Sequence, residues 1–308
     1  MNCNFLKLFV CSIALCVGAT LASAQVKEIS HDLSSFDTIE VDYDFHVNVV
    51  KARKGFSVSM TVDDVLLDYV QCYVKSHTLY LTLDKKSLPS DIKKLYKGRN
   101  STNPILNATV YMSDVLEAVK LAGSSVLTVE EEIECKDFDA TISENAQIKK
   151  LAVDANNFTL KASGKSAADL VVYADNIKVE SDGSSSVGIE QDSEILEIET
   201  KGNAELEIDG ETLDVKVTSA GSSKTVLKGK TNTLSIQGSA AGFVDAINLQ
   251  TADCSVKLSG SSKVYENASE ALHLDMSGNS TVIFDLDPKI DIISVKSSTI
   301  QKYSSVKK

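Results

Sequence analysis

Apolar and polar residues alternate along most of this chain. In LEIETKGNAELEI, Leu196, Ile198 and Thr200 alternate with Glu197, Glu199 and Lys201. Past Gly202, the residues Ala204, Leu206 and Ile208 alternate with Glu205, Glu207 and Asp209. LHLDMSG repeats the pattern, with Leu272, Leu274 and Met276 on one face and His273 and Asp275 on the other. A period of two predicts strands with one buried face. This strand–turn–strand unit recurs from residue 105 onward. Its turn centres read Gly123, Glu144, Gly164, Gly183, Gly202, Gly221, Gly238, Gly260, Gly278 and Ser297. Successive spacings are 21, 20, 19, 19, 19, 17, 22, 18 and 19 residues. A repeat of about 19 residues predicts a solenoid.

No copy contains an amphipathic helical stretch, so a leucine-rich repeat is not expected. No proline occurs between Pro104 and Pro288, which an uninterrupted hydrogen-bonded ladder requires. The expected fold is therefore all-β: a right-handed parallel β-helix over residues 105–308, with about 19 residues per coil. In-register stacking should place Leu196, Leu213 and Leu234 inward. The Ser/Gly turns suit tight backbone. Stacked in register, Ser124, Ser185, Ser222, Ser261 and Ser280 would form a stripe. A ladder that satisfies its own backbone is the favoured reading of it, and a polar glycan groove the alternative.

The N-terminal part differs. Residues 1–24 carry Lys7, an apolar run from Leu8 to Leu21, and the small-x-small triplet Ala22-Ser23-Ala24. That is the grammar of a cleaved secretory signal, with Cys16 or Cys11 as the lipoprotein-type alternative. Residues 25–83 read as a small β-rich head or cap, with strands around FDTIEVDYDFHVNVV, FSVSMTV and HTLYLTL and a short helical piece at DVLLDY. A solenoid needs such a cap to cover its open edge. Residues 84–104 form a loop bearing Lys85, Lys86, Lys93, Lys94, Lys97 and Arg99, a basic island in an acidic chain. A solvated loop is its simplest reading, and an anion or glycan contact the alternative.

The formal net charge is −12, and loss of Lys7 with the signal makes it −13. Clustered positive charge is what phosphate binding needs, so a nucleic-acid partner is not expected. Cys72, Cys135 and Cys254 remain after the signal, with no CxxC or Cys/His spacing. They are expected as three free thiols, because six coils separate Cys135 from Cys254.

The residues gathered so far resemble the family described as putative auto-transporter adhesin, head GIN domain. Phe36-Asp37-x-Ile39, Phe45-x-Val47, Leu66-Leu67-Asp68 and Thr78-Leu79 carry the N-terminal likeness. The GSS-type turns at Gly123, Gly221 and Gly260 carry the rest, and together they span roughly residues 30–300. The resemblance implies a β-helical fold, export and a cell-envelope location, and it supplies no catalytic residues. Repeat runs to Lys308, so self-translocation through a membrane barrel is not expected.

Parallel β-helices often cleave polysaccharides, and pectin-degrading ones need Arg or paired Asp on one solenoid face. The two arginines, Arg53 and Arg99, and the Asp63-Asp64 pair all lie outside the repeat. No histidine has a partner at metal-ligand spacing, and no phosphate-binding loop is present. The sequence calls for no cofactor. The expectation is a non-catalytic envelope or surface protein with an adhesin-like or scaffolding role, whose partner is a glycan or another surface component. A pectinase- or lyase-like enzyme is the alternative, and a purely structural periplasmic protein the next. Glycan contacts usually need aromatics, and six of nine tyrosines precede the first turn of the repeat. The candidate contact residues are Tyr43, Tyr80, Lys93, Lys94, Tyr96 and Arg99.

Overall fold

The computed structural model describes residues 26–96 and 103–303. The expected signal at 1–24, with Cys11 and Cys16, lies outside them, as does Arg99. The described chain is a β-solenoid of about ten turns, about 19 residues apart.

The N-terminal strands are β1 (Val26–Asp32), β2 (Thr38–Val41), β3 (His46–Lys51), β4 (Phe56–Asp63), β5 (Val70–Lys75), β6 (Thr78–Leu83) and β7 (Leu106–Met112). A short 3₁₀ helix at Asp64–Tyr69 occupies the DVLLDY segment, and α1 (Ser90–Leu95) lies in the basic loop. Next come β8 (Ala118–Leu121), β9 (Val126–Val129), β10 (Ile133–Ile142), β11 (Gln147–Ala162), β12 (Ala167–Ser181) and β13 (Ser186–Thr200). They are followed by β14 (Glu205–Ser219), β15 (Lys224–Gly238), β16 (Phe243–Leu258), β17 (Lys263–Glu266), β18 (Ala268–Ser277), β19 (Thr281–Phe284), β20 (Lys289–Lys296) and β21 (Thr299–Lys302). From β10 to β16 each strand pairs in parallel with the next.

Each coil has two walls joined by a glycine-type turn at one side and a bent corner at the other. The turn residues stack. The N–H of Ser184 bonds the carbonyl of Gly164, that of Asn203 bonds Gly183, and that of Ser222 bonds Gly202, at 2.6–2.7 Å. Gly183, Gly202 and Gly221 have φ of 76°, 65° and 76°. A Cβ on any of them would come within 2.8 Å of the carbonyl oxygen one coil earlier. The turns therefore select glycine twice, by conformation and by stacking. In four of the turns an inward serine closes the loop: Ser125, Ser185, Ser223 and Ser262 donate to the carbonyl three residues back at 2.8–2.9 Å. The stripe expected from sequence is accordingly not one surface. Ser124, Ser222 and Ser261 face solvent, whereas Ser185 and Ser280 are buried.

Two details of the repeat correct the sequence reading. The left-handed residue of the turn after β15 is Ala240, with φ of 57°, and Gly238 instead ends that strand. The uneven spacings of 17 and 22 thereby become 19 and 20. Replacing Ala240 with glycine should stabilise the chain by about 0.5–1 kcal/mol, since the roughly 1–2 kcal/mol that a Cβ costs in this conformation exceeds the extra backbone entropy glycine loses on folding. Urea unfolding of the variant would test this, and an unchanged midpoint would speak against it. The second correction concerns Leu213, which is 50% exposed while Leu196 and Leu234 are buried. At each corner two consecutive residues face outward, such as Glu194-Ile195, Leu213-Asp214 and Asn232-Thr233. The alternation slips by one there, and Val215 stacks between Leu196 and Leu234.

The core is a set of such inward ladders. Phe138 and Phe158 stack with their centroids 6.0 Å apart and 1° between planes. Ile177, Leu196, Val215, Leu234, Cys254 and Leu272 continue that column through successive coils. On the outside of the same corners, Asn157 donates to Asp137 at 2.6 Å and Asn176 to Asn157 at 3.0 Å.

At the N-terminal end the pairing crosses the boundary drawn from sequence. β2 and β3 are themselves a coil, pairing in parallel with β8 and β9. Tyr43, with φ of 77°, occupies their turn, and Ser124 N–H bonds its carbonyl. β6 and β7 form the next coil outward. Between these two strands the sequence has the 84–105 stretch in place of a four-residue turn. Antiparallel strands then close the end: β5 on β6, and β4 on β7 with β1 on β4. Strands of the expected 25–83 head or cap thus join the same ladders as the strands after residue 105.

Candidate binding surfaces at the capped end and on the wall

The sequence-derived contact residues fall into two places. The first is the turn side of the capped end. Asp42 accepts the Tyr43 N–H at 2.6 Å and meets the Lys85 ammonium at 3.1 Å, and that ammonium lies 5.2 Å over the Tyr43 ring. Asp84 ties the start of the basic loop down through Ser87 Oγ at 2.7 Å and Lys86 N–H at 3.1 Å. Leu88 is buried, and α1 follows with Lys93 half-buried and Lys94 exposed. Tyr96 returns toward the stack, where its hydroxyl donates to Asp63 at 2.9 Å. Asp63 is 3% exposed and also accepts the Ile105 N–H at 3.0 Å.

Burial raises the Tyr96 phenol pKa, and the Asp63 hydrogen bond and negative charge raise it further. Burial also raises that of Tyr43, with Asp44 adding to it and Lys85 opposing it. Both phenols are therefore neutral at physiological pH, and they serve as packing and hydrogen-bonding groups rather than nucleophiles. Asp63, half of the adjacent Asp pair, is a structural acceptor that ties the loop to β4.

The second place is the outer wall. Tyr80 projects from β6 and stacks on Tyr73 of β5, with centroids 5.0 Å apart and planes 17° apart. Tyr73 is 42% exposed. The hairpin joining these strands turns through Ser76 and His77, both with positive φ. Tyr73 and Lys85 were not among the contact residues expected from sequence. The alternation in QCYVKSHTLYL would have put Tyr73 and Tyr80 on one face once the hairpin turn was recognised.

A shallow groove of about 820 Å³ runs across β12, β13 and β14, farther along the stack. Gly188 and Gly210 leave its floor open, and Asp169, Glu190, Asp192, Glu207, Asp209 and Glu211 surround it. Asp169, Gly188 and Glu207 lie in register on successive coils. Among the described residues no group of three or more His, Cys, Asp or Glu side chains is arranged to hold a metal ion.

Among the described residues Cys72, Cys135 and Cys254 are free thiols, with Cys254 fully buried and Cys72 and Cys135 half-buried. Burial pushes the Cys72 thiol up to about 12. Cys135 is pushed up to about 11 by burial, then by Glu117, Asp137 and Asp154. None is a thiolate at neutral pH, so none is a poised nucleophile. Cys135 sits on β10 and Cys254 on β16, six strand spacings apart, or about 29 Å at about 4.8 Å per step. A disulfide spans less than about 7 Å between Cα atoms. Titration of the denatured, unreduced chain from Gln25 onward should count three thiols. A count of one, with the bridge mapped to Cys135 and Cys254, would contradict the stacking.

These features define the class: an all-β solenoid, closed at one end by antiparallel strands and presenting aromatic and acidic outer surfaces. The family model described as putative auto-transporter adhesin, head GIN domain, matches residues 35–191 and again 189–288, and the chain belongs to that family. A crystal structure of a putative adhesin from Parabacteroides distasonis superposes with a TM-score of 0.53 at 16% identity, covering 91% of this chain and 98% of that one. A putative adhesin from Parabacteroides merdae gives 0.49 at 12% identity, with 91% and 96% covered. A protein from Parabacteroides distasonis described as a putative lipid binding protein gives 0.46 at 15% identity, with 91% and 97% covered. At 16% identity the first of these likenesses speaks to fold. A comparison with curated proteins finds no match. No helix among the described residues is long and apolar enough to cross a membrane.

Proposed function

We propose that this chain is an exported, non-catalytic envelope or surface protein that binds a glycan or another surface component through its capped end. The observation that carries this reading is the Tyr73–Tyr80 pair. Two stacked rings, one of them 42% exposed, stand on paired strands at the end of a rigid stack. Aromatic faces held this way offer apolar contact at small entropic cost, which is what the flat C–H face of a sugar ring needs. The basic loop carries Lys93 and Lys94, with Arg99 outside the described residues, and this positive charge would suit an acidic sugar. Tyr43 and Tyr96 shape that loop through contacts already committed within the chain. Membership in an adhesin-type family supports the same role.

The test is a glycan array probed with the chain from Gln25 onward, alongside Tyr73→Ala and Tyr80→Ala. At least a tenfold loss of binding is expected from each, as for exposed aromatic anchors elsewhere. Binding that survives loss of both rings would move the site away from the cap. Fractionation of the native cell should find the protein in the envelope, and a cytosolic pool would contradict export.

A second reading is a polysaccharide-active enzyme, favoured by the carboxylate-lined groove over β12–β14. Paired carboxylates within about 5–10 Å suit glycoside hydrolysis. The residues lining this groove include no lysine or arginine to hold an acidic substrate. Release of reducing ends from a polysaccharide, abolished by Glu190→Gln, would favour the enzyme. No release is the expected result.

A further inference from the structure

The two ends of the solenoid are built differently. Antiparallel strands close the N-terminal end. At the other end β20 hydrogen-bonds β18 on one side, and among the described residues nothing pairs with its other edge. Its inward residues continue the core ladders: Ile290 stacks on Leu272, Ile292 on Leu274 and Val295 on Met276. Those three partners are fully buried, yet Ile290, Ile292 and Val295 are 39%, 57% and 37% exposed, and the neighbouring Ile293 is 69% exposed. An open edge that also exposes the end of a core is a surface that proteins normally cover.

The sequence of β20 specifies what fits there. Paired antiparallel with a second copy of itself, Asp291–Lys296 finds a register in which every pair is complementary. Asp291 faces Lys296 of the other copy, Ile292 faces Val295, and Ile293 faces Ser294, and each pair occurs twice. The register also respects the faces of the sheet. Ile292 and Val295 belong to the inward side, whereas Asp291 and Lys296 pair with the outward residues His273 and Ser277. A two-fold axis through the end of the stack would bring the edges of β21 together as well, because β19 and β21 run beside β18 and β20 in the same coils. We infer that two copies of this chain join tail to tail through β20, forming a closed dimer that buries the exposed ends of both cores and leaves both capped ends free.

Sedimentation or light scattering of the chain from Gln25 onward should report a dimer at micromolar concentration. Asp291→Lys sets like charges opposite each other twice and should weaken the dimer about tenfold or more. Adding Lys296→Asp reverses both partners and should restore it. Recovery in the double variant separates pairing at this edge from misfolding of the last coil, and unchanged circular dichroism of the single variant makes the same point. A monomer at about 100 μM would overturn the proposal, since a specific interface should be populated there. A dimer indifferent to both variants would also overturn it. So would a monomer that dimerises only when residues 304–308 are deleted, because the chain's own tail would then be the occupant.

Discussion

Substituting Gly210 with alanine is expected to lower the thermal midpoint by roughly 10 °C. Gly210 has φ of 150°, and a Cβ there would lie 1.8 Å from the Gln191 carbonyl oxygen of the preceding coil. That atom is backbone within a paired strand and has no rotamer to change. Gly229 stacks on Gly210 in the next coil and has the same difficulty, with its Cβ 1.9 Å from the Gly210 oxygen. Relief requires strands to part, at a cost of about 3 kcal/mol or more. In a domain of this size each kcal/mol moves the midpoint by roughly 2–4 °C. Gly55→Ala is the control: its φ is 81° but nothing lies within 4 Å of the added carbon. It should cost only about 1–2 kcal/mol. A Gly210→Ala midpoint no lower than that of Gly55→Ala would show that the coil stack yields freely at this point.

The second large effect depends on pH. Glu266 ends β17 with its side chain fully buried. One carboxyl oxygen accepts the Ala268 N–H at 2.7 Å, and the other has no partner in the structure. Burial raises its pKa from an ordinary 4.5 to about 7, with the Ala268 bond opposing and Asp285 adding to the rise. Below pH 4.5 the folded and unfolded chains both hold the proton, so the group contributes no difference. Between about 4.5 and 7 the unfolded chain ionises first, and stability falls as pH rises. Above 7 the folded carboxyl ionises too, and the loss levels off at roughly 3 kcal/mol. Glu266→Gln removes this slope. The variant should match the parent near pH 4.5 and exceed it by up to that amount near pH 8, measured by urea unfolding across the range. Parallel pH profiles for the two proteins would mean that Glu266 is not the group responsible. Cys254, fully buried, has its thiol pKa raised by burial and then by the Glu266 charge, so its own titration should also shift in the variant.

What could be read from the amino acids depended on whether a structural rule left a visible residue behind. The coils were legible because a two-residue period and a glycine at φ near 70° both write themselves into sequence. Leu213 was misplaced because the corners insert a second outward residue, and nothing in ETLDVKV marks where the alternation slips. The first coil was hidden for two reasons. Its turn uses Tyr43 instead of glycine, and residues 52–117, which include the β6–β7 coil on its outer side, intervene before β8 resumes the stack on the inner side. The β5–β6 hairpin left no mark either, since Ser76 and His77 adopt conformations that Asn-Gly would have announced. The contact residues fared in between. Composition pointed to the tyrosines and lysines of the N-terminal part, but only the three-dimensional arrangement shows that Tyr43 and Tyr96 serve the loop while Tyr80 shares its face with Tyr73.

Along the repeat, each coil from β11 to β15 bonds only the coil before it and the coil after it. Neither end is informed of how many lie between. Duplicating residues 183–201 would lengthen the molecule by about 4.8 Å and remake the same interfaces on both sides. Reach is thus a quantity that whole-coil insertion or loss can adjust in small equal steps, without redesigning the surface carried at the tip.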